Sequence, residues 1–284
     1  MIELSRVGLG TNNFGRRLDR PHSIEVVEAA LDAGVTHIDT ANIYGGGESE
    51  RFIGEALEGR RDDAFLATKF GMGEGGNGSP GYVREALEAS LGSLRTDHVD
   101  LLYYHRPDGV TPIAETLGTM HELVEAGKVR HLGVSNMDAA QLREAAAAAP
   151  VAVVQNRYSL LERGAEEDVL PACAEFGIGF VPYFPLASGL LTGKYRRGEP
   201  APPGTRLAGQ EIDDETYDRV EALERFAAER GRSLLELAFG VLLSRPEIVS
   251  VIAGATSPEQ VRANVAAAAW ELTSEELAAL PGQR

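Results

Sequence analysis

Short apolar runs rich in β-branched residues alternate along the chain with longer segments in which Ala, Leu and Glu recur at helical spacing. Helical segments are predicted to begin near residues 22, 48, 80, 111, 138, 166 and 215. The apolar runs predict eight strands, over residues 6–10, 36–40, 65–70, 100–105, 131–135, 152–155, 178–183 and 248–254. Near-continuous apolar strands joined by helical crossovers indicate a parallel sheet that is covered by helices.

Several predicted helix starts carry residues typical of an N-cap. They are Thr111 with Pro112, Asp138 with Gln141, Ser257 with Gln260, and Thr273 with Glu276. Eight strand-helix repeats favour a closed (β/α)8 TIM barrel over an open sheet, and 284 residues are the size that such a barrel needs. Because no linker divides the chain, we expect one α/β domain over residues 1–284.

The composition narrows the possible partners. With 43 acidic and 27 basic residues the formal charge is −16, which opposes binding to nucleic acid or to an anionic membrane. The single cysteine, Cys173, excludes an intramolecular disulfide and is expected to be a small apolar filler. No run of about 20 apolar residues occurs. We therefore expect a cytoplasmic monomer or weak oligomer that binds small molecules and no metal.

Polar residues stand at the carboxyl ends of most predicted strands, where the active sites of such barrels lie. The residues are Asp39, Lys69, His105, Ser135 with Asn136, Gln155 and Tyr183, with Tyr44 in the loop after Asp39. Each alone has a structural explanation: Asp39 as a turn cap, Lys69 as a solvated side chain, His105 as a buried histidine. Together they predict one pocket in which an aspartate, a lysine, a tyrosine and a histidine tune one another for proton transfer.

A tyrosine has a pKa of about 10, so it needs a neighbour that favours its phenolate to shuttle a proton near neutrality. We expect Lys69 to lower the pKa of Tyr44, and Asp39 to keep Lys69 charged and oriented. His105 is expected to donate a hydrogen bond to the same substrate oxygen. This set protonates an oxygen as a carbonyl becomes an alcohol, but it contains no hydride, which a cofactor has to supply.

The stretch TKFGMGEGG, residues 68–76, contains a G-x-G-x-x-G after a predicted strand. A dinucleotide fingerprint needs a helix to open at the third glycine, and here the chain continues as NGSPG, with no helix start before about Pro80. The one acid inside, Glu74, would repel a phosphate. The loop from Gly71 to Gly81 is therefore predicted to lie beside the substrate and not to bind phosphate.

The ordered set DTANIYGGGESE, ATKFG, DLLYYHRPD, GVSN, QNRYSLL, PYFPLASGLLTGKY and VIAGATSPEQVRANVAA resembles the aldo-keto reductases, from about Val7 to Ala267. In that family a (β/α)8 barrel binds a nicotinamide dinucleotide without a Rossmann domain, and a tetrad of Asp, Tyr, Lys and His reduces aldehydes or ketones. The resemblance implies that Tyr44 is the general acid. Lys69 and Asp39 would then tune it, and His105 would orient the carbonyl.

The same resemblance implies a cofactor site. Ser135, Asn136 and Gln155 would hold the nicotinamide carboxamide, and Tyr183 would stack on its ring. Phosphates are expected at residues 254–260, where Ser257 and Pro258 start a helix after strand eight. The irregular segment between Ser188 and Asp214, with Lys194, Arg196 and Arg197, is expected to be a lid across the pyrophosphate. The remaining implied contacts are Leu186, Gly189, Leu190, Lys194, Gly254, Thr256, Gln260 and Asn264.

The preference for one nicotinamide cofactor depends on cations near the end of strand eight. Family members that prefer NADP often carry a cation at the strand-eight turn, and this chain offers only Arg262, one turn further along. We expect NADP(H) rather than NAD(H), and an aldehyde or ketone as substrate. The alternatives are an NAD-dependent sugar dehydrogenase on the same scaffold, a Schiff-base enzyme that uses Lys69, and a nucleotide-sensing regulatory subunit.

Overall fold

The computed structural model describes residues 2–72 and 77–282, in which eight parallel strands form a single sheet. Along the sheet the strands follow the order β8, β1, β2 and so on to β7. The strands are β1 (Val7–Gly10), β2 (His37–Asp39), β3 (Phe65–Phe70), β4 (Val99–Tyr104), β5 (Val129–Ser135), β6 (Val151–Arg157), β7 (Gly179–Tyr183) and β8 (Val251–Gly254). Each predicted strand is present. At most strand ends, the observed bound differs from the predicted one by a few residues.

The sheet closes on itself between β7 and the approach to β8. The N–H of Phe180 donates to the carbonyl of Glu247 at 2.7 Å, and the N–H of Val249 donates to the carbonyl of Phe180 at 3.1 Å. A parallel bridge joins Phe180 to Ile248. This closure, together with the helical crossovers, confirms the predicted (β/α)8 barrel.

Helices cover the outside of the barrel, and the predicted starts near residues 48 and 80 agree with α2 and α3. The helices are α1 (Arg20–Asp32), α2 (Glu48–Ala56), α3 (Pro80–Leu94), α4 (Ile113–Glu125), α5 (Ala139–Ala148), α6 (Val169–Phe176), α7 (Asp214–Ala228), α8 (Leu234–Leu243), α9 (Pro258–Ala267) and α10 (Ser274–Ala278). None of the helices in the described ranges has the length and apolar character needed to cross a membrane.

Helix α8 was not among the predicted segments. Its sequence LLELAFGVLL is apolar almost all round, so it shows little amphipathic period. The sequence signal that could have identified α8 is Ser233 with Glu236, which form a capping box at the start of the helix. The boxes predicted at Asp138 and Thr273 are confirmed, and Ser257 caps α9 by accepting from the N–H of Gln260 at 3.4 Å.

The predicted N-cap at Thr111 is wrong. The Asp108 carboxylate accepts both the Thr111 N–H, at 2.7 Å, and the Thr111 hydroxyl, at 2.9 Å. Thr111 is therefore part of a turn that Asp108 organises, and Pro112 occupies the N-cap position of α4 without a side-chain bond.

The described residues form three apolar clusters: an inner layer inside the ring of strands, an outer layer between strands and helices, and a third cluster that packs α7 and α8 with the segment after β7. Ile2 and Leu4 pack against the inner layer. Its buried members are Ala67, Leu101, Tyr103, Val153, Val181 and Ile252. Cys173 lies fully buried in the outer layer, and burial raises the pKa of its thiol to about 12, which agrees with a filler that stays protonated.

Gly133 on β5 is required by the size of Tyr103. The two residues are register partners, and a Cβ at Gly133 would lie 2.5 Å from Cδ1 of the Tyr103 ring. Since Tyr103 is fully buried, its ring has no open space to move into.

We expect Gly133→Ala to lower the free energy of unfolding by about 1–3 kcal/mol, the usual cost of overpacking a core. Gly118→Ala is the matched control, because Gly118 lies exposed within α4 with open space at its Cβ position. That substitution should raise stability by about 0.5–1 kcal/mol through helix propensity. Urea unfolding of both variants measures the difference, and equal effects of the two substitutions would contradict the packing explanation.

Candidate active site

The inward-facing positions of the strands bring the predicted site residues to one mouth of the barrel. Side chains two residues apart in a strand point to the same face of the sheet. Asp39 therefore points into the barrel as His37 does, and Lys69 points into it as Ala67 does. The same parity applies to His105 after Tyr103 and to Gln155 after Val153. Ser135 and Tyr183 end β5 and β7 on the same rim.

A buried ion pair lies at the centre of this mouth. The Lys69 Nζ donates to Asp39 Oδ1 at 2.5 Å and to the carbonyl of Thr40 at 2.8 Å. The Gln155 amide donates to the other Asp39 oxygen at 2.9 Å. The Lys69 and Asp39 side chains are 0% and 4% exposed. Buried charges need such partners, because an uncompensated charge in the interior is very costly.

Tyr44 lies against this ion pair. It begins a short 3-10 turn, Tyr44–Gly47, a few residues after β2. The Lys69 Nζ is 5.3 Å from the centroid of the Tyr44 ring, and the His105 ring is 6.1 Å away. Gly45 makes the turn possible: its φ is +60°, and a Cβ there would lie 2.3 Å from the carbonyl oxygen of Phe14.

The pKa of Tyr44 is raised from its ordinary value, which corrects the expectation from the sequence. Desolvation of the phenol is the largest cause, and the Lys69 charge lowers the pKa as expected but is outweighed. Tyr44 therefore holds its proton at neutral pH, as a general acid requires.

His105 is neutral at ordinary pH. Burial first, and then the nearby charges of Lys69 and Arg106, lower its pKa to about 3. Its Nδ1 is buried and has no hydrogen-bond partner among the described residues. A neutral imidazole can donate one hydrogen bond without bringing a second positive charge next to Lys69.

Asn136 connects three strand ends. Its Nδ2 donates to the carbonyl of His105 at 2.9 Å and to Ser135 Oγ at 3.1 Å, and its Oδ1 accepts from the Tyr183 hydroxyl at 2.7 Å. Its φ of +54° lies in the left-handed region, which Asn tolerates better than most residues. The structure thus brings the three predicted carboxamide ligands, Ser135, Asn136 and Gln155, together with Tyr183.

The polar atoms that remain fit an amide. Asn136 Oδ1 keeps a second lone pair, and the Ser135 hydroxyl keeps a hydrogen to donate. Gln155 uses one amide hydrogen on Asp39 and retains its carbonyl oxygen and its second hydrogen. An amide group needs this mixture of donors and acceptors, so the set is chemically suited to a carboxamide.

The segment after β7 has a constrained backbone. Phe184, Ala187 and Ser188 have φ values of +52°, +46° and +59°, a region that side chains disfavour. Leu186 precedes the 3-10 turn Ala187–Thr192, which contains Gly189 and Leu190. A Cβ at Gly189 would lie 2.6 Å from the Nζ of Lys194, so that lysine packs directly over the glycine.

Two of the three lid cations bind to helix α7 and not to the mouth. Arg197 pairs with Asp214, Asp218 and Glu221 at 2.7, 2.5 and 3.0 Å. Arg196 pairs with Glu224 at 2.7 Å. These ion pairs attach Arg196 and Arg197 to α7, and Lys194 is the member of the predicted trio with no carboxylate within 4.0 Å among the described residues.

Arg206 was not identified from the sequence. Its guanidinium donates to Asn12 Oδ1 at 3.2 Å and to Asn13 Oδ1 at 3.3 Å, and lies 5.0 Å from the centre of the Phe184 ring. Because β8 lies between β7 and β1 in the closed barrel, these contacts carry the segment from one neighbour of β8 to the other. That it covers the pyrophosphate stays a prediction.

The turn after β8 and the start of α9 are ordered by their own side chains. Gln260 Oε1 accepts from the N–H and hydroxyl of Thr256 at 2.8 and 3.1 Å. Gly254 faces the loop after β1, since a Cβ there would lie 3.3 Å from Asn13 Nδ2. Asn264 is buried on α9, whereas Arg262 is 64% exposed and 3.8 Å from Glu259.

The structure describes only part of the loop from Gly71 to Gly81, which is predicted to lie beside the substrate. Gly73 and Gly76 lie outside the described residues, while the helix start at Pro80 agrees with the expectation. Gly78, in the described part of the loop before α3, contacts the loop after β4, because its N–H donates to the Asp108 carboxylate at 2.6 Å.

Comparisons with known proteins agree with this geometry. The sequence model of the Aldo/keto reductase family matches residues 6–282. The chain is 38% identical to aldo-keto reductase YhdN of Bacillus subtilis, covering 97% of this chain and 88% of that protein. It is also 36% identical to a probable voltage-gated potassium channel subunit beta of Oryza sativa subsp. japonica, covering 89% and 84%.

Solved structures show the same likeness. The glycerol dehydrogenase AKR11B4 from Gluconobacter oxydans superposes with a TM-score of 0.88 at 33% identity, covering 98% of this chain and 90% of that chain. Barrel closure, the clustered rim residues and a family match over nearly the whole chain lead to one conclusion. The chain belongs to the aldo/keto reductase family of oxidoreductases.

Proposed function

We propose that the protein reduces an aldehyde or ketone to the alcohol with NADP(H), using Tyr44 as the general acid. The observation that supports this most directly is the buried Lys69–Asp39 pair beside a Tyr44 that keeps its proton. A nicotinamide cofactor, which the family uses, supplies a hydride to the carbonyl carbon when it is bound.

Tyr44 provides the proton for the developing alkoxide. Its raised pKa keeps the hydroxyl protonated over the neutral range, so the acid form is always available. Lys69 lies within 5.3 Å of the ring, and its charge stabilises the phenolate that remains after the transfer. Asp39 and Gln155 hold Lys69 in place.

His105 orients the carbonyl in this proposal. As a neutral donor it polarises the substrate oxygen without competing for the proton of Tyr44. The His105 carbonyl is bound by Asn136, which fixes the chain at the end of β4. Substrate oxygen, Tyr44 and His105 then meet at one point of the mouth.

For the cofactor we propose contacts from Ser135, Asn136 and Gln155 to the carboxamide and from Tyr183 to the ring, as the rim geometry allows. The N-terminus of α9, a helix of ten residues capped by Ser257, suits a phosphate. The lid residues that would cover the dinucleotide are Leu186, Gly189, Leu190, Lys194 and Arg206. The turn after β8 and helix α9 would contact it through Gly254, Thr256, Gln260 and Asn264.

The names of two relatives suggest alternative functions for this protein. One is named a glycerol dehydrogenase, so alcohol oxidation is the second candidate reaction, and it uses the same groups in reverse. Another is named a probable channel subunit, so the experiments below separate cofactor binding from turnover. We also propose that the protein works in the cytoplasm on small molecules and without nucleic acid, in line with its charge of −16 and its one buried thiol.

Tyr44→Phe should lower carbonyl reduction by a factor of about 10² to 10⁴, because only the acidic hydroxyl is removed. Cofactor affinity and folding should stay nearly unchanged. The measurement is steady-state oxidation of NADPH with 4-nitrobenzaldehyde, together with cofactor titration. Tyr82→Phe is the control: Tyr82 packs against the core on α3, and loss of its hydroxyl should leave the rate unchanged. A Tyr44→Phe enzyme that keeps more than about a tenth of its activity contradicts the assignment.

The pH profile of kcat should show no acidic limb from His105 between pH 5 and 8. His105 has a pKa of about 3, below the ordinary 6.5, so it is already neutral over this range and gains a second N–H and a positive charge only at lower pH. Rates with 4-nitrobenzaldehyde at constant ionic strength measure the profile. A limb with an apparent pKa near 6.5 that disappears in His105→Gln would show that His105 titrates in the working range.

Arg262→Met should raise the Kd of NADPH by about three- to tenfold and change that of NADH less than twofold, because an exposed ion pair to the 2′-phosphate is worth about 0.5–1.4 kcal/mol. Fluorescence titration with each cofactor measures it. Arg51→Met is matched, since Arg51 pairs with Glu48 at the same i,i+3 spacing on α2. If the wild-type protein binds NADH as tightly as NADPH, the NADP preference is wrong.

A further inference from the structure

The cations of this acidic chain are mostly neutralised by a neighbour. Across residues 2–72 and 77–282, most lysines and arginines have a carboxylate oxygen within 4.0 Å. Those without one among the described carboxylates are Arg16, Arg17, Arg106, Lys194, Arg206, Arg219 and Arg225.

These unpaired cations are concentrated on one face. All except Arg219 and Arg225, which lie on α7, belong to the loops that follow β1, β4 and β7. Those loops form the rim of the catalytic mouth. In a chain with a charge of −16, leaving cations without acidic partners at one place creates a local positive potential that attracts anions.

The cations after β1 and β7 lie on the cofactor side of the rim. Arg17 donates to the carbonyl of Gly204 in the lid, and Arg206 reaches Asn12 and Asn13. Lys194 packs over Gly189. The phosphates of a dinucleotide under the lid account for this group.

The dinucleotide phosphates do not account for the unpaired charge of Arg106. It follows β4, which is separated from β8 by β1, β2 and β3 on one side and by β5, β6 and β7 on the other. Its side chain is exposed and has neither a carboxylate partner nor a hydrogen bond within the described part of the chain. It directly follows His105, the residue that we place against the substrate carbonyl.

The positive charge of Arg106 influences the pKa values of two residues of the mouth. Burial is the main cause of the lowered pKa of His105 and of the raised pKa of Tyr183, and the Arg106 charge acts on both residues, favouring the neutral imidazole and opposing the rise at Tyr183. Those two residues are joined through Asn136, which bonds to both. The guanidinium thus lies within electrostatic reach of both sides of the substrate entrance.

We propose that Arg106 binds an anionic group of the substrate, so that the enzyme prefers aldehydes that carry a carboxylate away from the carbonyl. A guanidinium matches a carboxylate with two parallel hydrogen bonds, which a neutral group of similar size does not accept equally well. The inference rests on the proposed reductase function and adds the substrate class to it.

The test compares two aldehydes that differ in charge. These are 4-carboxybenzaldehyde and its methyl ester, methyl 4-formylbenzoate, each reduced with saturating NADPH. The wild-type enzyme should favour the acid in kcat/KM. Arg106→Met should reduce the ratio of acid to ester by about tenfold, through the KM of the acid with kcat nearly unchanged. Arg106→Lys should keep part of the preference because the charge remains.

Arg225→Met is the matched control. It removes one exposed, unpaired cation from α7 and so changes the net charge equally. Its ratio of acid to ester should equal that of the wild type. The inference is overturned if Arg106→Met leaves the ratio unchanged, or if Arg225→Met lowers it as much. If the wild type reduces neither aldehyde although it binds NADPH, the proposed function fails instead.

Discussion

The buried ion pair of Lys69 and Asp39 is the interaction on which the site depends. The Lys69 side chain is fully buried and that of Asp39 nearly so, and each charge is stable because the other lies 2.5 Å away and because Thr40 and Gln155 bind further atoms of the pair. These partners come from two neighbouring strands and from β6 across the barrel. The ion pair joins neighbouring strands, and its contact with Gln155 forms only when the barrel brings β6 opposite β2, which ties the chemistry of the mouth to the correct register of the strands.

Much of this arrangement was accessible from the sequence, and the reason is geometric. Parallel strands end at one edge, so polar residues at their carboxyl ends had to meet once eight strands were recognised. Asp39, Lys69, His105 and Gln155 were found in this way. Element bounds were less accurate, and α8 was missed because its apolar faces hide the helical period behind a single capping box at Ser233.

Other features required the folded chain. Lys69 was expected to lower the pKa of Tyr44, but the extent of desolvation, which no motif encodes, reverses the net direction. The predicted lid cations Lys194, Arg196 and Arg197 looked equivalent in sequence, yet Arg196 and Arg197 are bound to acids on α7. Arg206, which the sequence did not single out, reaches the loop after β1. Partner choice between residues distant in sequence depends on how loops fold across the barrel, so it could not be inferred from composition.

In the proposed function, hydride passes from the bound cofactor to the substrate at this mouth, which does more than bind a nucleotide. The most direct measurement uses NADPH labelled with deuterium at either face of C4 of the nicotinamide, with 4-nitrobenzaldehyde and mass spectrometry of the product. A fixed cofactor orientation predicts that the alcohol carries one deuterium from one labelled epimer and none from the other. Tight cofactor binding without any deuterated alcohol from a range of aldehydes and ketones would contradict the account.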